Sequence, residues 1–393
     1  MSDSHQAVQK LYDTYPFPPD PLSDEPPPGY NWRWSWTAAH SFCTGRAPDR
    51  PNIRILDAGC GTGSGTDYLV HQNPAAQVTA IDLSPGALEV AEERCRRSGA
   101  QGVNFAQMTL ETAATELDGT FDFINCVGVL HHLPDPVAGL QALAQKLAPS
   151  GLLHIFVYAE LGRWEIQLVQ EAIALLQGSQ RGDYTDGVRL GRDLFQTLPE
   201  DNPLVQRERD RWSGENRRDE CFADMYVHPQ ETDYNLHSLF ELIDTSGLDF
   251  VGFSNPQFWQ LERLLGNSAA LMQQGQTLGE RDRYRLIELL DPKAVTHYEF
   301  FLARPPLERI NWSDDQQLLA AQAQVYPCLQ GWPSQTFFDK DFQLVSLTPT
   351  EYALLQACDA QPSQTVGEQL AAVGAELELI RSLWSRQLLI LTP

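Results

Sequence analysis

The chain has 393 residues, enough for two domains or for one large domain with a small appendage. Its 52 acidic and 28 basic side chains leave a formal charge of −24, which repels phosphate backbones and argues against a nucleic-acid partner. Seven scattered cysteines without a CxxC pair, no apolar leader at the N-terminus and no run of about 18 apolar residues point to a cytoplasmic protein with reduced thiols and no membrane span.

Residues 1–50 read as an arm. A short helical stretch (Gln6 to Tyr12) runs into Tyr15-Pro16-Phe17-Pro18-Pro19, then Pro26-Pro27-Pro28 and the aromatic cluster Tyr30 to Trp36. Prolines block regular helix here, and so many aromatics favour packing onto the body. The arm either wraps the fold or forms a lid, with Tyr12, Tyr15, Trp32 or Arg33 near ligands. Residues 51–304 form the main domain. Strands are expected at Ile53–Ala58, Gln77–Asp82, Val103–Gln107, Phe121–Cys126 and Leu152–Tyr158, separated by helical patterns over 64–72, 85–98 and 136–147. That alternation predicts a parallel α/β sheet covered by helices on both faces. The rhythm breaks in an insertion at about 160–235. It resumes with a helix (Asn235–Thr245), a strand (Leu248–Phe253), a second insertion at about 257–290 and a seventh strand (His297–Ala303).

Arg304-Pro305-Pro306 punctuates the chain, and residues 308–393 read as a small α+β module. Helices are expected over 349–358, 366–373 and 375–386, with a strand over 388–391, a spacing that is winged-helix-like. Four basic residues (Arg309, Lys340, Arg381, Arg386) against ten acidic ones argue against DNA binding. A partner or homodimer contact is the expectation.

The segment Ile53-Arg54-Ile55-Leu56-Asp57-Ala58-Gly59-Cys60-Gly61-Thr62-Gly63 is an apolar strand ending in a glycine-rich turn. Glycines there admit positive φ and close approach of a ligand to the backbone. The pattern is GxGxG rather than the GxGxxG of dinucleotide sites, and Asp57 ends the strand beside the turn. A helix N-terminus that holds pyrophosphate has no use for that carboxylate, whereas a cationic ligand does. Asp82 ends the next strand, where an acid accepts ribose hydroxyls. Gln107-Met108 and the stretch Phe121 to Asp135, which contains Gly128-Val129-Leu130-His131-His132-Leu133-Pro134, complete the set.

With these residues the sequence resembles the class I S-adenosylmethionine-dependent methyltransferases, closely over 53–158 and in rhythm to about 304. The YPFPP arm and Val157 to Arg163 are similar to a bacterial subgroup of that family. The resemblance implies a seven-stranded Rossmann-like sheet and S-adenosylmethionine as cofactor. It also implies that Asp57, Gly59, Gly61 and Gly63 cradle the methionine end, that Asp82 and Leu83 hold ribose and adenine, that Gln107 and Met108 flank adenine, and that Val127 lies beneath the methionine segment. Gln107 departs from the family, which often has Asp at or next to this position.

Methyl transfer needs alignment of donor and acceptor, with a base only where the acceptor loses a proton. His131 and His132, placed at the start of the helix after the fourth strand, and Tyr158, at the end of the fifth, are the catalytic candidates. Arg163, Asp224, Tyr226 and His228 lie in the insertion, where acceptors are usually recognised. No metal is expected, because adjacent His131 and His132 point apart. Asn125-Cys126-Val127-Gly128 lacks the Asn-Pro-Pro-aromatic pattern of amide and exocyclic-amine methylation. The acceptor is thus expected to be a small molecule or a peptide or protein side chain. The alternatives are a catalytically silent cofactor-binding protein on the same fold and an NAD-dependent oxidoreductase.

Overall fold

The chain opens on α1 (Asp3–Thr14) in a computed structural model that describes residues 3–393. The arm then runs extended to a short turn at Trp32–Trp34. Ser35 caps α2 (Trp36–Thr44), its side chain accepting from the Ala38 N–H. Four strands follow, β1 (Arg54–Ala58), β2 (Gln77–Asp82), β3 (Asn104–Gln107) and β4 (Phe121–Val127). They are linked by α3 (Ser64–Gln72), α4 (Pro85–Ser98) and α5 (Leu110–Glu116), and α6 (Pro136–Lys146) leads into β5 (Leu147–Tyr158). Both α4 and α6 start on a proline with a side-chain cap before it, Ser84 and Asp135, which is why their N-termini are fixed by local sequence.

The first insertion folds as α7 (Trp164–Gln177), α8 (Tyr184–Thr197), α9 (Pro203–Arg207), a π-helical turn (Glu208–Trp212) and α10 (Asp219–Tyr226). Next come α11 (Leu236–Asp244), β6 (Asp249–Phe253), three helices, α12 (Glu262–Leu265), α13 (Ala269–Gln276) and α14 (Glu280–Leu290), and β7 (His297–Ala303). The seven strands form one sheet in the order β3-β2-β1-β4-β5-β7-β6. It is mixed rather than wholly parallel: β7 runs antiparallel to β5 and to β6. Adjacent antiparallel strands must be joined at one end of a sheet, so α12–α14 leave and return at the same end. The central strands are buried on both faces, as Ile55, Leu56, Phe123 and Ile124 show with no exposed surface.

Residues beyond 308 contain α15 (Asp315–Ala320), β8 (Gln322–Val325), β9 (Thr336–Phe338), β10 (Leu344–Ser346), α16 (Pro349–Ala360), α17 (Val366–Val373), α18 (Leu377–Ser385) and β11 (Leu389–Thr392). β11 pairs with β8 and β9 with β10, both antiparallel. This part has its own apolar centre around Leu354, Ile380 and Leu389. It also shares one with the sheet, where Tyr326, Cys328 and Ile390 pack among α2, Ile55, Phe123 and Phe301. Main-chain bonds reinforce the join: Ala47 donates to the Leu391 carbonyl and Ile310 to that of Thr44, each at 2.8 Å. Among the described residues no helix is long and apolar enough to cross a membrane.

Candidate functional site

The strand order reverses between β1 and β4, and a crevice at the carboxyl ends of such strands is where α/β sheets bind ligands. A cavity of about 450 Å³ lies there. At one end the glycine turn leaves β1. Gly59 and Gly61 have φ of +83° and +52°. A Cβ on Gly59 would sit 2.3 Å from Val129, and one on Gly61 2.5 Å from the Phe17 carbonyl, so neither position has room for a side chain. Asp57 is buried; Oδ1 accepts from Asn125 at 2.8 Å and Oδ2 from Thr66 at 2.6 Å. Burial pushes its pKa up against those two donors. Asp82 accepts from the Gly61 N–H at 2.8 Å and the Ser84 N–H at 2.9 Å. Here too burial raises the pKa and the backbone donors oppose it.

The arm closes over this end. The Phe17 carbonyl accepts from the Thr62 N–H at 3.1 Å and the Pro18 carbonyl from the Thr62 hydroxyl at 2.6 Å. Arg94, a buried residue of α4, donates to the carbonyls of Thr62, Pro21 and Asp20 and so ties arm and glycine turn together. Ser84 donates to Asp13 at 2.6 Å. Tyr12, Phe17, Pro18 and Trp34 line the cavity; Tyr15, Trp32 and Arg33 do not. Trp32 is instead core, and Arg33 pairs with Glu299 at 2.6 Å.

The far end is made by Tyr12, His132, Phe156, Tyr158 and Asp224. Asp224 comes from α10 and accepts from Tyr12 at 2.9 Å and from Tyr158 at 3.4 Å. Burial raises its pKa to about 6, with both tyrosines and Arg163 pulling the other way. Burial, then the neighbouring Asp224 charge, also pushes both tyrosines well above their ordinary values, so they remain phenols. His132 is held neutral by burial, its pKa lowered to about 3. Arg163 lies behind Tyr158, 3.4 Å from the ring centroid, and pairs with buried Glu231 at 3.4 Å.

A family profile described as a methyltransferase domain matches residues 56–153. An uncharacterized protein of Synechococcus sp. is 57% identical over 397 residues, covering 100% of this chain and 95% of that protein. The chain belongs to the class I S-adenosylmethionine-dependent methyltransferases. The ubiquinone biosynthesis O-methyltransferase of Xanthomonas campestris is 39% identical over 105 residues, 27% of this chain and 43% of that enzyme, so the match spans less than half of it. PKMT2 from Rickettsia typhi, at 15% identity, has the same fold, with a TM-score of 0.62 over 94% of this chain and 77% of that one.

S-adenosylmethionine is the cofactor of this methyltransferase, and the cavity suits it. Among the described residues no lysine or arginine lines it, while Asp57 and Asp82 offer free lone pairs to an ammonium and a diol. Of the residues singled out from sequence, Asp57, Gly59, Gly61, Asp82, Leu83, Met108, Val127, His132 and Tyr158 line the cavity. Gly63, Gln107 and His131 do not. A Cβ on Gly63 would sit 2.8 Å from Ala91, so this glycine serves helix packing. Gln107 is exposed and donates to the Leu83 carbonyl at 3.1 Å. His131 is fully buried. The two histidines sit on a short turn, Leu130–His132, ahead of α6 rather than on it, and their rings meet at 4.1 Å instead of pointing apart. Thr109, Asn125 and Val129 also line the cavity; the last two lie within the Phe121 to Asp135 stretch without having been singled out as ligand contacts, and Thr109 carries no motif.

Proposed function

We propose that the chain transfers the methyl group of S-adenosylmethionine to an acceptor held inside this cavity, a small molecule or a single extended side chain of a peptide or protein. The observation that carries the reading is the two-ended cavity, with the glycine turn, Asp57 and Asp82 at one end and His132, Tyr158 and Asp224 at the other, closed by the arm. In it, Asp57, Gly59 and Gly61 take the methionine end, with Val127 beneath it. Asp82 and Leu83 take ribose and adenine, and Met108 flanks adenine. Gly63 and Gln107 support this end from behind.

The cofactor supplies a methyl carbon already activated by a sulfonium. The protein's part is to align the acceptor, exclude water and receive a proton where one is lost. His132 and Tyr158 face the space the acceptor fills, and His131 packs behind them. The arm acts as the lid. An NAD-dependent oxidation has no support, because the carboxylates at the glycine turn stand where a pyrophosphate would need donors. The exposed Phe338, Phe342 and Leu344 around the β9–β10 hairpin support a homodimer or partner contact by the C-terminal part. The negative charge favours no nucleic-acid partner, and the free cysteines favour the cytoplasm.

Calorimetry with S-adenosylhomocysteine tests the first step. Micromolar binding by the wild type and its loss in Asp57→Ala and Asp82→Ala are expected, and unchanged affinity in both variants would sink the assignment. A silent binding protein would bind S-adenosylhomocysteine yet transfer no isotopic label to any fraction of a cell extract.

A further inference from the structure

Gln230, between α10 and α11, presents its peptide to two histidines. Its carbonyl oxygen lies 3.1 Å from Nδ1 of His132, and its N–H donates to Nδ1 of His228, also at 3.1 Å. A carbonyl only accepts and an N–H only donates. His132 therefore carries its proton on Nδ1 and keeps a lone pair on Nε2, while His228 has the opposite tautomer, with an Nε2–H. That Nε2 lies 3.3 Å from the Tyr12 oxygen, whose hydroxyl donates to Asp224. The order of protons is thus fixed: His228 to Tyr12, Tyr12 to Asp224, and an open nitrogen on His132.

The same three groups, His132, Asp224 and His228, bring ligand atoms within 4.8 Å of one another, close enough to suggest a metal. The tautomers exclude that use as arranged. A metal needs a bare nitrogen, and Nε2 of His228 holds a proton. The two rings are also stacked, with centroids 3.7 Å apart and planes tilted by 24°.

We infer that Nε2 of His132 takes the proton of a hydroxyl group on the acceptor, so that the product is a methyl ether, and that the Gln230 peptide and Asp224 are the positioning groups that keep this nitrogen ready. The inference rests on the reading of the cavity as the place of methyl transfer. The acceptor oxygen uses a lone pair to form the O–CH₃ bond as the S–CH₃ bond breaks, and the bonding pair stays on sulfur. The acceptor proton passes to Nε2. The imidazolium so formed keeps its Nδ1–H on the Gln230 carbonyl and faces the Asp224 carboxylate.

Chemistry selects the hydroxyl. A carboxylate acceptor finds no lysine or arginine among the described lining residues. An ammonium must shed its proton before it can attack, and an imidazole that burial holds neutral is a poor acceptor for it. A neutral hydroxyl already has a lone pair free, and its proton turns strongly acidic only as the new bond forms, so a weak base suffices. The groups that face the His132 ring are His131 at 4.1 Å, His228 at 3.7 Å, Tyr158 at 5.9 Å and Asp224, with the Arg163 charge behind Tyr158.

Nitrogen-15 spectra of histidine-labelled, full-length protein saturated with S-adenosylhomocysteine test the tautomers, with His132→Asn and His228→Asn identifying the signals. The expected result is Nδ1–H at His132 and Nε2–H at His228; Nε2–H at His132 overturns the inference. Added Zn²⁺ that shifts both signals together would overturn it as well. In the second arm the protein receives methyl-¹³C S-adenosylmethionine and a small-molecule extract of its source cells. A labelled methyl ether is expected, made about 10²-fold more slowly by His132→Asn with cofactor affinity unchanged. Label on nitrogen or sulfur, or undiminished transfer by His132→Asn, refutes the base. Failure of the wild type to bind S-adenosylhomocysteine would instead remove the underlying reading of the cavity.

Discussion

Asp57 and Asp82, at the glycine-turn end of the cavity, and Asp224, at the other, are all carboxylates engaged by donors, but they obtain those donors differently. Asp57 takes its partners from Thr66 and Asn125, on the elements that follow in the same β-α-β run, and Asp82 takes backbone N–H groups from Gly61 and Ser84. Asp224 takes one donor from Tyr12, at the opposite end of the sequence, and another from Tyr158. One end is thus specified by a continuous stretch of chain. The other exists only after the arm, β5 and the first insertion have come together. Such a division lets acceptor recognition change through α10 while the glycine-turn end stays as it is.

The largest expected effect bears on the local end. Asp82→Ala removes the acceptor of two backbone N–H groups and the partner proposed for the ribose, and should weaken S-adenosylhomocysteine binding by about 10²-fold, measured by calorimetry. Comparable binding by the variant would mean that the glycine-turn end does not hold the cofactor. Gly61→Ala tests where the two ends meet. Its Cβ would stand 2.5 Å from the Phe17 carbonyl, so the arm must lift. Faster proteolysis within residues 15–28 and roughly tenfold weaker cofactor binding are expected; an unchanged digestion pattern would show that the arm accommodates the methyl group.

Asp224→Asn should separate stability from turnover. A buried acid whose folded pKa of about 6 lies above its ordinary value of 3.8 is favoured in the protonated form, so its ionisation withdraws stability as pH rises through that window. The penalty, complete above about pH 6, amounts to about 3 kcal/mol. The variant should therefore melt higher than wild type at pH 7.5, with the gap closing towards pH 4, while transferring methyl groups more slowly. A gap that does not vary between pH 4 and 7 would contradict the burial of this charge. Tyr12→Phe should lower kcat by a factor of about 3–10 and leave S-adenosylhomocysteine affinity within twofold, since it removes the hydroxyl that links His228 to Asp224 and no contact at the glycine-turn end. The smallest effect belongs to Gln107→Ala: an exposed side chain bonded to the Leu83 carbonyl should shift cofactor affinity by less than threefold.

The same contrast explains how much could be read from the sequence. Asp57, Gly59, Gly61 and Asp82 were legible because strand, turn and strand end fall at fixed spacings, and helix starts such as Ser84-Pro85 and Asp135-Pro136 announce themselves through capping. Gly63 shares the motif's pattern but serves packing against Ala91, a role that spacing cannot distinguish from ligand contact. The sheet's antiparallel β7 was hidden because strand patterns carry no direction. Strands β8 to β10 have three or four residues each, too short for periodicity to register. Asp224 stood out from sequence only by its place in the insertion, since nothing local marks a carboxylate that will be met by a tyrosine 212 residues away. The tautomers of His132 and His228 depend on a backbone peptide and leave no trace in residue identity.

The join between α2 and the C-terminal part has a consequence for biosynthesis. Gly45 meets the Ile310 carbonyl so closely that a Cβ there would be 2.0 Å from it, and Ala47 bonds to Leu391, far along the chain. At about 5–20 residues per second, a ribosome leaves residues 36–47 waiting for roughly twenty seconds to a minute before their partner strand emerges. Over that interval the apolar side of α2 and the face of the sheet beneath it remain uncovered. Native packing of α2 is therefore completed only after the C-terminal part has been made.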